Sequence, residues 1–246
     1  MTITRKALVS IGLVTFVSAF VVMFPARVAY DWFAPSTVQV SSLEGSIWSG
    51  SAAEASVAGL YLRDLAWRLR PLRLFTGKLA ASIEASPTSG FLEADVALGF
   101  GGVVTLKDVN GSLPLSSFAA MARMPGLSGN TSIQFEELRI RDGLPVVAIG
   151  TLAVDNLVAP LVDPSPIGGY RAEFFTDDGA VIGSIEDVNG VFDLAGSLTI
   201  SADRNYQFIG KVAATDSTTE KLQRQLRFLG SPNERGQHDI RLEGQL

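Results

Sequence analysis

Beyond residue 36 the chain alternates apolar and polar residues with a period of two. Val38, Val40 and Ser42 fall on one side of an extended run. Trp67 and Leu69 alternate with Arg68 and Arg70. Leu79, Ala81 and Ile83 alternate with Lys78, Ser82 and Glu84, and Leu92, Ala94, Val96 and Leu98 with Glu93 and Asp95. Successive side chains of a strand point to opposite faces, so these runs predict strands with one dry and one wet face. Asn110-Gly111, Asp142-Gly143, Asp178-Gly179 and Asn189-Gly190 are pairs that tolerate positive φ, and they read as turns. Within residues 169–214 the runs YRAEFFT, AVIGSIEDV, FDLAGSLTIS and YQFIGKVAA read as four consecutive strands. The expectation is an all-β domain over residues 36–246: an antiparallel meander forming a curved sheet or a partly open barrel or sandwich.

Three prolines and a Gly-Gly pair make residues 156–170 a loop, where two β-halves would join. Asp108-Val109-Asn110-Gly111 recurs as Asp187-Val188-Asn189-Gly190, which suggests a duplicated unit; shared turn chemistry explains four residues equally well. Two short helices are predicted. One is Ser116–Arg123, stopped by Pro125-Gly126. The other lies near 217–229, with Ser217 and Glu220 as a capping box, an apolar stripe of Leu222, Leu226 and Leu229, and Gly230 at its C-terminal end. Covering an open sheet edge or end is the plainer role for this helix, and binding a partner the sharper one.

Residues 7–24, ALVSIGLVTFVSAFVVMF, carry no charge and are apolar on every helical face. As a helix this run is about 27 Å long, close to the hydrocarbon core of a bilayer. Arg5 and Lys6 precede it, so the positive-inside rule predicts a cytoplasmic tail at 1–6, a transmembrane helix at 7–24 and export of everything beyond. Tyr30, Trp32 and Phe33 follow as an interfacial belt would. A cleaved signal peptide shares this polarity, but its apolar region is shorter, and cleavage after Ala29 would put Arg27 where a small residue is needed.

The net charge of −5, with acids and bases mixed along the chain, lacks the basic block that binds phosphate backbones, so nucleic acid is not an expected partner. The absence of cysteine excludes disulfides, thiolate metal sites and cysteine nucleophiles. The single histidine, His238, lies in a strand-like run and is expected to be an exposed strand residue rather than a catalytic base. Asp177-Asp178-Gly179 lacks the spacing of a calcium loop. Ser49 and Ser51 around Gly50 do not form a nucleophile elbow. Glu136 and Glu137 point to opposite faces if they lie in a strand. No nucleotide fingerprint is present. The reading is therefore no enzyme, no cofactor and no metal.

The most specific stretch is Leu43–Gly50, LEGSIWSG, with Gly45, Trp48 and Gly50 as its fixed points. Trp67-Arg68-Leu69-Arg70-Pro71-Leu72-Arg73-Leu74 and Gly77-Lys78-Leu79 follow, and Leu226-Arg227-Phe228-Leu229-Gly230 lies near the end. The two glycines permit a tight bend while the indole packs broadly, and Trp67 lies on a strand able to meet it. A core cluster is the plainer role for these residues, and a contact platform is the sharper one.

With the N-terminal segment, these blocks resemble the protein N family of the bacterial type II secretion system. The resemblance implies a single-pass inner-membrane protein with a periplasmic β-domain. It implies an accessory, non-catalytic component whose partners are other secretion subunits of the inner membrane and periplasm. Gly45, Trp48, Gly50, Trp67, Pro71, Leu229 and Gly230 are then the family-motif and candidate interaction residues. The family is distantly similar to AsmA-like periplasmic β-proteins, which implies an alternative: a lipid-binding or lipid-transfer module with an apolar trough.

Overall fold

The computed structural model describes residues 12, 13, 15, 16, 19, 20, 22–34, 38–57, 60–86, 89–99, 101–119 and 125–246. Thirteen strands form one antiparallel sheet: β1 (Val38–Gly45), β2 (Ser49–Val57), β3 (Leu60–Leu69), β4 (Lys78–Ala85), β5 (Phe91–Gly99), β6 (Val104–Pro114), β7 (Ser128–Arg141), β8 (Leu144–Val158), β9 (Tyr170–Asp177), β10 (Ala180–Asp187), β11 (Phe192–Ile200), β12 (Asn205–Ala214) and β13 (His238–Gln245). Their spatial order is their chain order, and β1 does not meet β13, so the sheet is open. The four strands predicted within 169–214 are β9 to β12, and residues 159–169 are the loop between β8 and β9, across which the ladder continues. Because the chain meanders, the odd-to-even turns (β1–β2, β3–β4 and onward to β11–β12) gather at one end of the sheet. The remaining turns gather at the other end.

Cross-strand partners share a face. Leu69, Ala81, Val96, Leu106 and Leu138 form one row across β3 to β7, all on the apolar face. Arg68, Ser82, Asp95, Lys107 and Glu137 form the neighbouring row on the polar face. Two small buried clusters anchor the apolar face. Ala55, Leu62 and Ala85 pack with Val40, Leu60, Leu65 and Leu92 near the first edge. Phe192 and Val212 pack under Leu222 and Leu226 of the helix Glu220–Leu226 near the last edge.

Several expectations are corrected. Ser42, expected beside Val38 and Val40, has φ +53° and is exposed; Leu43 takes the apolar side instead. Ala53 and Asp64 (φ +48°) lie in the same row. Each of β1, β2 and β3 carries one extra residue there, so the register holds (Ser41 opposite Glu54, Leu43 opposite Ala52) while the apolar positions step by three, from Ala52 to Ala55 and from Leu62 to Leu65. Asn110-Gly111 is not a turn but the middle of β6. Asp108 (φ +49°) uses its turn chemistry to form a bulge opposite Glu136, a second bulge in β7. The phrase repeated at 187–190 does lie at a turn, so the two copies are not structurally equivalent.

The predicted 116–123 helix is one turn, Ser116–Ala119, and residues 120–124 lie outside the described residues. The C-terminal helix is capped by Thr219, not Ser217: the Leu222 amide donates to the Thr219 hydroxyl at 3.4 Å. Thr215 and Thr218 instead turn their hydroxyls to the Val191 carbonyl, which ties the helix start to β11. His238, expected to be exposed, is 6% exposed, because it lies on the apolar face beneath the segment leading out of that helix.

The predicted tail 1–6 lies outside the described residues, as do residues 7–11, 14, 17, 18 and 21 of the predicted membrane helix. Among the described residues no helix is long and apolar enough to cross a membrane. The described members of that run include helical Leu13, Phe16, Phe20 and Val22, all exposed. After Pro25 a helix, Ala26–Phe33, packs on β1, where the Tyr30 hydroxyl donates to the Val38 carbonyl at 3.0 Å and accepts from the Val40 amide at 3.3 Å. It thereby occupies part of the otherwise unpaired edge of β1.

Candidate interaction surfaces

The motif residues separate into two places. Gly45, Trp48, Gly50, Trp67 and Pro71 meet at the odd-to-even end. Gly45 (φ +87°) pairs with Gly50 at the head of the β1–β2 turn. Gly50 faces Trp67 across the ladder, and a Cβ on Gly50 would lie 2.4 Å from the indole Cζ2 and 2.4 Å from the Glu44 carbonyl oxygen. The indole therefore lies flat over the glycine. Its Nε1 donates to the Ile47 carbonyl at 3.2 Å, and the Leu69 amide donates to the Trp48 carbonyl at 2.7 Å. The Ser46 hydroxyl accepts from the amides of Trp48 and Ser49, both at 3.3 Å, and closes the turn. These contacts clasp β1–β2 to β3.

Pro71 starts a surface 3₁₀ helix, Pro71–Thr76, that ends at Gly77 in the left-handed region. Leu229 and Gly230 lie far from this clasp, after the C-terminal helix. The Gly230 carbonyl accepts from Nδ1 of His238 at 2.9 Å, which gives the one histidine a structural role.

A feature absent from the sequence reading lies beside the clasp. On the polar face a groove of about 530 Å³ runs over β4 to β7 under the Pro71–Thr76 turn. Arg70, Arg73, Lys78, Lys107, Arg139 and Arg141 line it, against two acids, Asp95 and Glu137. Nη2 of Arg70 lies 2.8 Å from Oδ2 of Asp95 and donates to the Ser82 hydroxyl at 3.0 Å; that hydroxyl donates to Oδ1 of Asp95 at 2.8 Å. Glu137 is bound by Arg139 and by Lys107 at 3.5 Å. Burial alone would raise its pKa, but the Arg139 hydrogen bond and the two positive charges together hold it below the ordinary carboxylate value. Arg73, Lys78 and Arg141 have no acidic partner among the described residues. These cations come from three strands, β4, β6 and β7, and from the segment around the Pro71–Thr76 turn, so no basic run marks them in the sequence.

The fold defines an all-β protein built on one open antiparallel sheet that presents two faces and two edges. Among the described residues no cluster of three or more His, Cys, Asp or Glu side chains is placed to hold a metal ion. Residues 36–241 match the family model for "Type II secretion system (T2SS), protein N", and the chain belongs to that family. It is 22% identical over 260 aligned residues to the type II secretion system protein N of Aeromonas hydrophila, covering 98% of this chain and 99% of that protein. It is 27% identical over 241 residues to the protein of the same name from Vibrio cholerae serotype O1 (strain ATCC 39315 / El Tor Inaba N16961), covering 93% and 94%. No solved structure matches the chain. The chain is accordingly a component of a type II secretion system.

Proposed function

We propose that the chain is a non-catalytic scaffold subunit of the secretion machine, held in the bacterial inner membrane by residues 7–24, with residues 1–6 cytoplasmic and the sheet in the periplasm. The open sheet carries the reading. Thirteen strands pair in one layer whose first and last strands do not meet, and the described residues hold two small buried clusters near opposite edges. A sheet that leaves its edges and broad faces uncovered is built to meet partners rather than to enclose a reaction. The exposed Leu13, Phe16, Phe20 and Val22 support the anchor, since no part of the sheet shields them. The alternative of an apolar trough for lipid is not adopted, because the family match and both relatives point to a secretion component and none points to lipid.

The test has two parts. Affinity purification of the full chain from membranes of its own host should recover other inner-membrane secretion subunits. A reporter fused after Leu246 should be active only in the periplasm. Normal secretion after deletion of the gene, together with recovery of no such subunit, would overturn the scaffold role, and a cytosolic reporter would overturn the orientation.

A further inference from the structure

The N-terminal apolar run enters the sheet at a defined place. Pro25 bridges to Ser46, and the Ile47 amide donates to the Phe24 carbonyl at 3.0 Å, so the run ends against the β1–β2 turn. The Leu69 amide bonded to the Trp48 carbonyl sets the Pro71–Thr76 turn beside that point. This turn displays apolar side chains to solvent: Leu72 is 78% exposed, Leu74 45% and Phe75 89%. Its own Arg73, with Arg70 and Lys78 on either side, stands at the mouth of the groove whose further cations are Lys107, Arg139 and Arg141. Six cations against two acids give this small area a net positive charge in a chain whose net charge is −5.

We infer that the Pro71–Thr76 turn and the basic groove form a membrane-contact surface: Leu72, Leu74 and Phe75 enter the headgroup boundary of the bilayer that holds the anchor, and the unpaired Arg73, Lys78 and Arg141 bind the phosphates of anionic phospholipid there. The inference rests on the anchored reading above. Exposed apolar tips flanked by cations match the two layers of a bilayer surface, acyl chains within and phosphates above. The position matches as well, because the tip lies at the end of the sheet where the anchor emerges. Acids at this end include Asp142, in the β7–β8 turn beside Arg141, and Asp177, Asp178 and Asp203 in or beside the β9–β10 and β11–β12 turns, whereas the Pro71–Thr76 turn carries none, so the contact centres on the β3–β4 corner. The sheet would stand on the membrane by one corner, with its second edge held away from it.

The chain contains no cysteine, so one introduced thiol can be labelled alone. Full-length Phe75→Cys and Val188→Cys, each carrying an environment-sensitive fluorophore, would be reconstituted in lipid nanodiscs of phosphatidylethanolamine with phosphatidylglycerol, and in discs of phosphatidylcholine only. Val188 is an exposed apolar residue of the opposite end. Lipid-borne nitroxide should quench the label at position 75 several-fold more than the label at 188, and more in anionic discs than in neutral ones. Combining Arg73→Glu, Lys78→Glu and Arg141→Glu should abolish the difference between the two lipids, and these side chains hold no ion pair that the fold needs. Co-elution of protein with discs reads the anchor separately. If the protein rides with the disc but the labels at 75 and 188 stay equally open to aqueous iodide, the membrane contact is wrong while the anchor stands. Shielding of position 75 only after other secretion subunits are added would likewise overturn the inference, making the turn a protein-docking tip. Failure to co-elute would remove the anchored reading and the inference with it.

Discussion

The indole of Trp67 occupies the space a side chain on Gly50 would need, and the same arrangement recurs on this face: the ring of Phe174 lies over Gly183 and that of Tyr206 over Gly244. In each pair the cross-strand partner of the aromatic residue is the glycine, so the ring covers backbone that would otherwise face water. Gly50→Ala should cost about 1–3 kcal/mol, because the new methyl meets both the ring and a backbone carbonyl that cannot give way. Gly99→Ala is the control: its nearest neighbour would be the Val103 carbonyl oxygen at an ordinary 3.7 Å, and a change within about 0.5 kcal/mol is expected. Denaturant midpoints of the two variants measure the difference. Tyr170 makes a second prediction. Its hydroxyl donates to the Ile167 carbonyl at 3.2 Å, and burial first, then the charge of Asp187, push its pKa up to about 12. A phenol with a raised folded pKa keeps its proton better folded than unfolded. Its contribution is complete below the unfolded value near 10 and is lost as pH rises from about 10 through about 12. Tyr170→Phe should therefore lose less stability than the parent chain across that alkaline window, as measured by unfolding midpoints at its two limits.

Elements were legible in the sequence wherever one local rule operated without interruption. β9 to β12 fall within a residue or two of the predicted runs because alternation and Asp-Gly turns both point to the same register. The rule failed at Ser42 and Asp108, where a residue with turn chemistry adds one position to a strand and moves every later side chain to the other face; sequence shows the chemistry but not which use of it the neighbouring strands impose. The burial of His238 and the basic groove were not legible, because both depend on strands and turns that are remote in sequence. The clasp was legible as a motif, and its geometry favours the plainer role, since Trp67 packs on Gly50 and bonds to the Ile47 carbonyl. The C-terminal helix, expected to cover an open sheet edge or end, lies instead on the apolar face over β11 and β12, and that role is testable. Leu222 and Leu226 bury Phe192 and Val212, whereas Lys221 only pairs with Asp163 at 2.8 Å on the surface. Leu222→Ala should cost about 2–5 kcal/mol and expose apolar surface to a hydrophobic dye, while Lys221→Ala should change stability by about 1 kcal/mol or less.

For the whole molecule, the decisive property is that strands pair in chain order. Each strand bonds only to its neighbours in sequence, and the buried clusters lie near opposite edges. Few contacts join distant parts: Arg204 donates to the Asp142 carbonyl at 2.7 Å, and Lys221 reaches Asp163. Stability in such an arrangement is close to a sum of local pairings, as in repeat proteins, and a defect need not spread. A compact sandwich behaves differently, because its second sheet couples every strand through one core. Native-state hydrogen exchange on Gly50→Ala separates the two cases. Amides of β1 to β3 should exchange faster than in the parent chain, and those of β9 to β12 should keep their protection. Uniform loss of protection across all strands would mean that the sheet is a single cooperative unit. Graded loss would mean that the first edge can open while the rest holds.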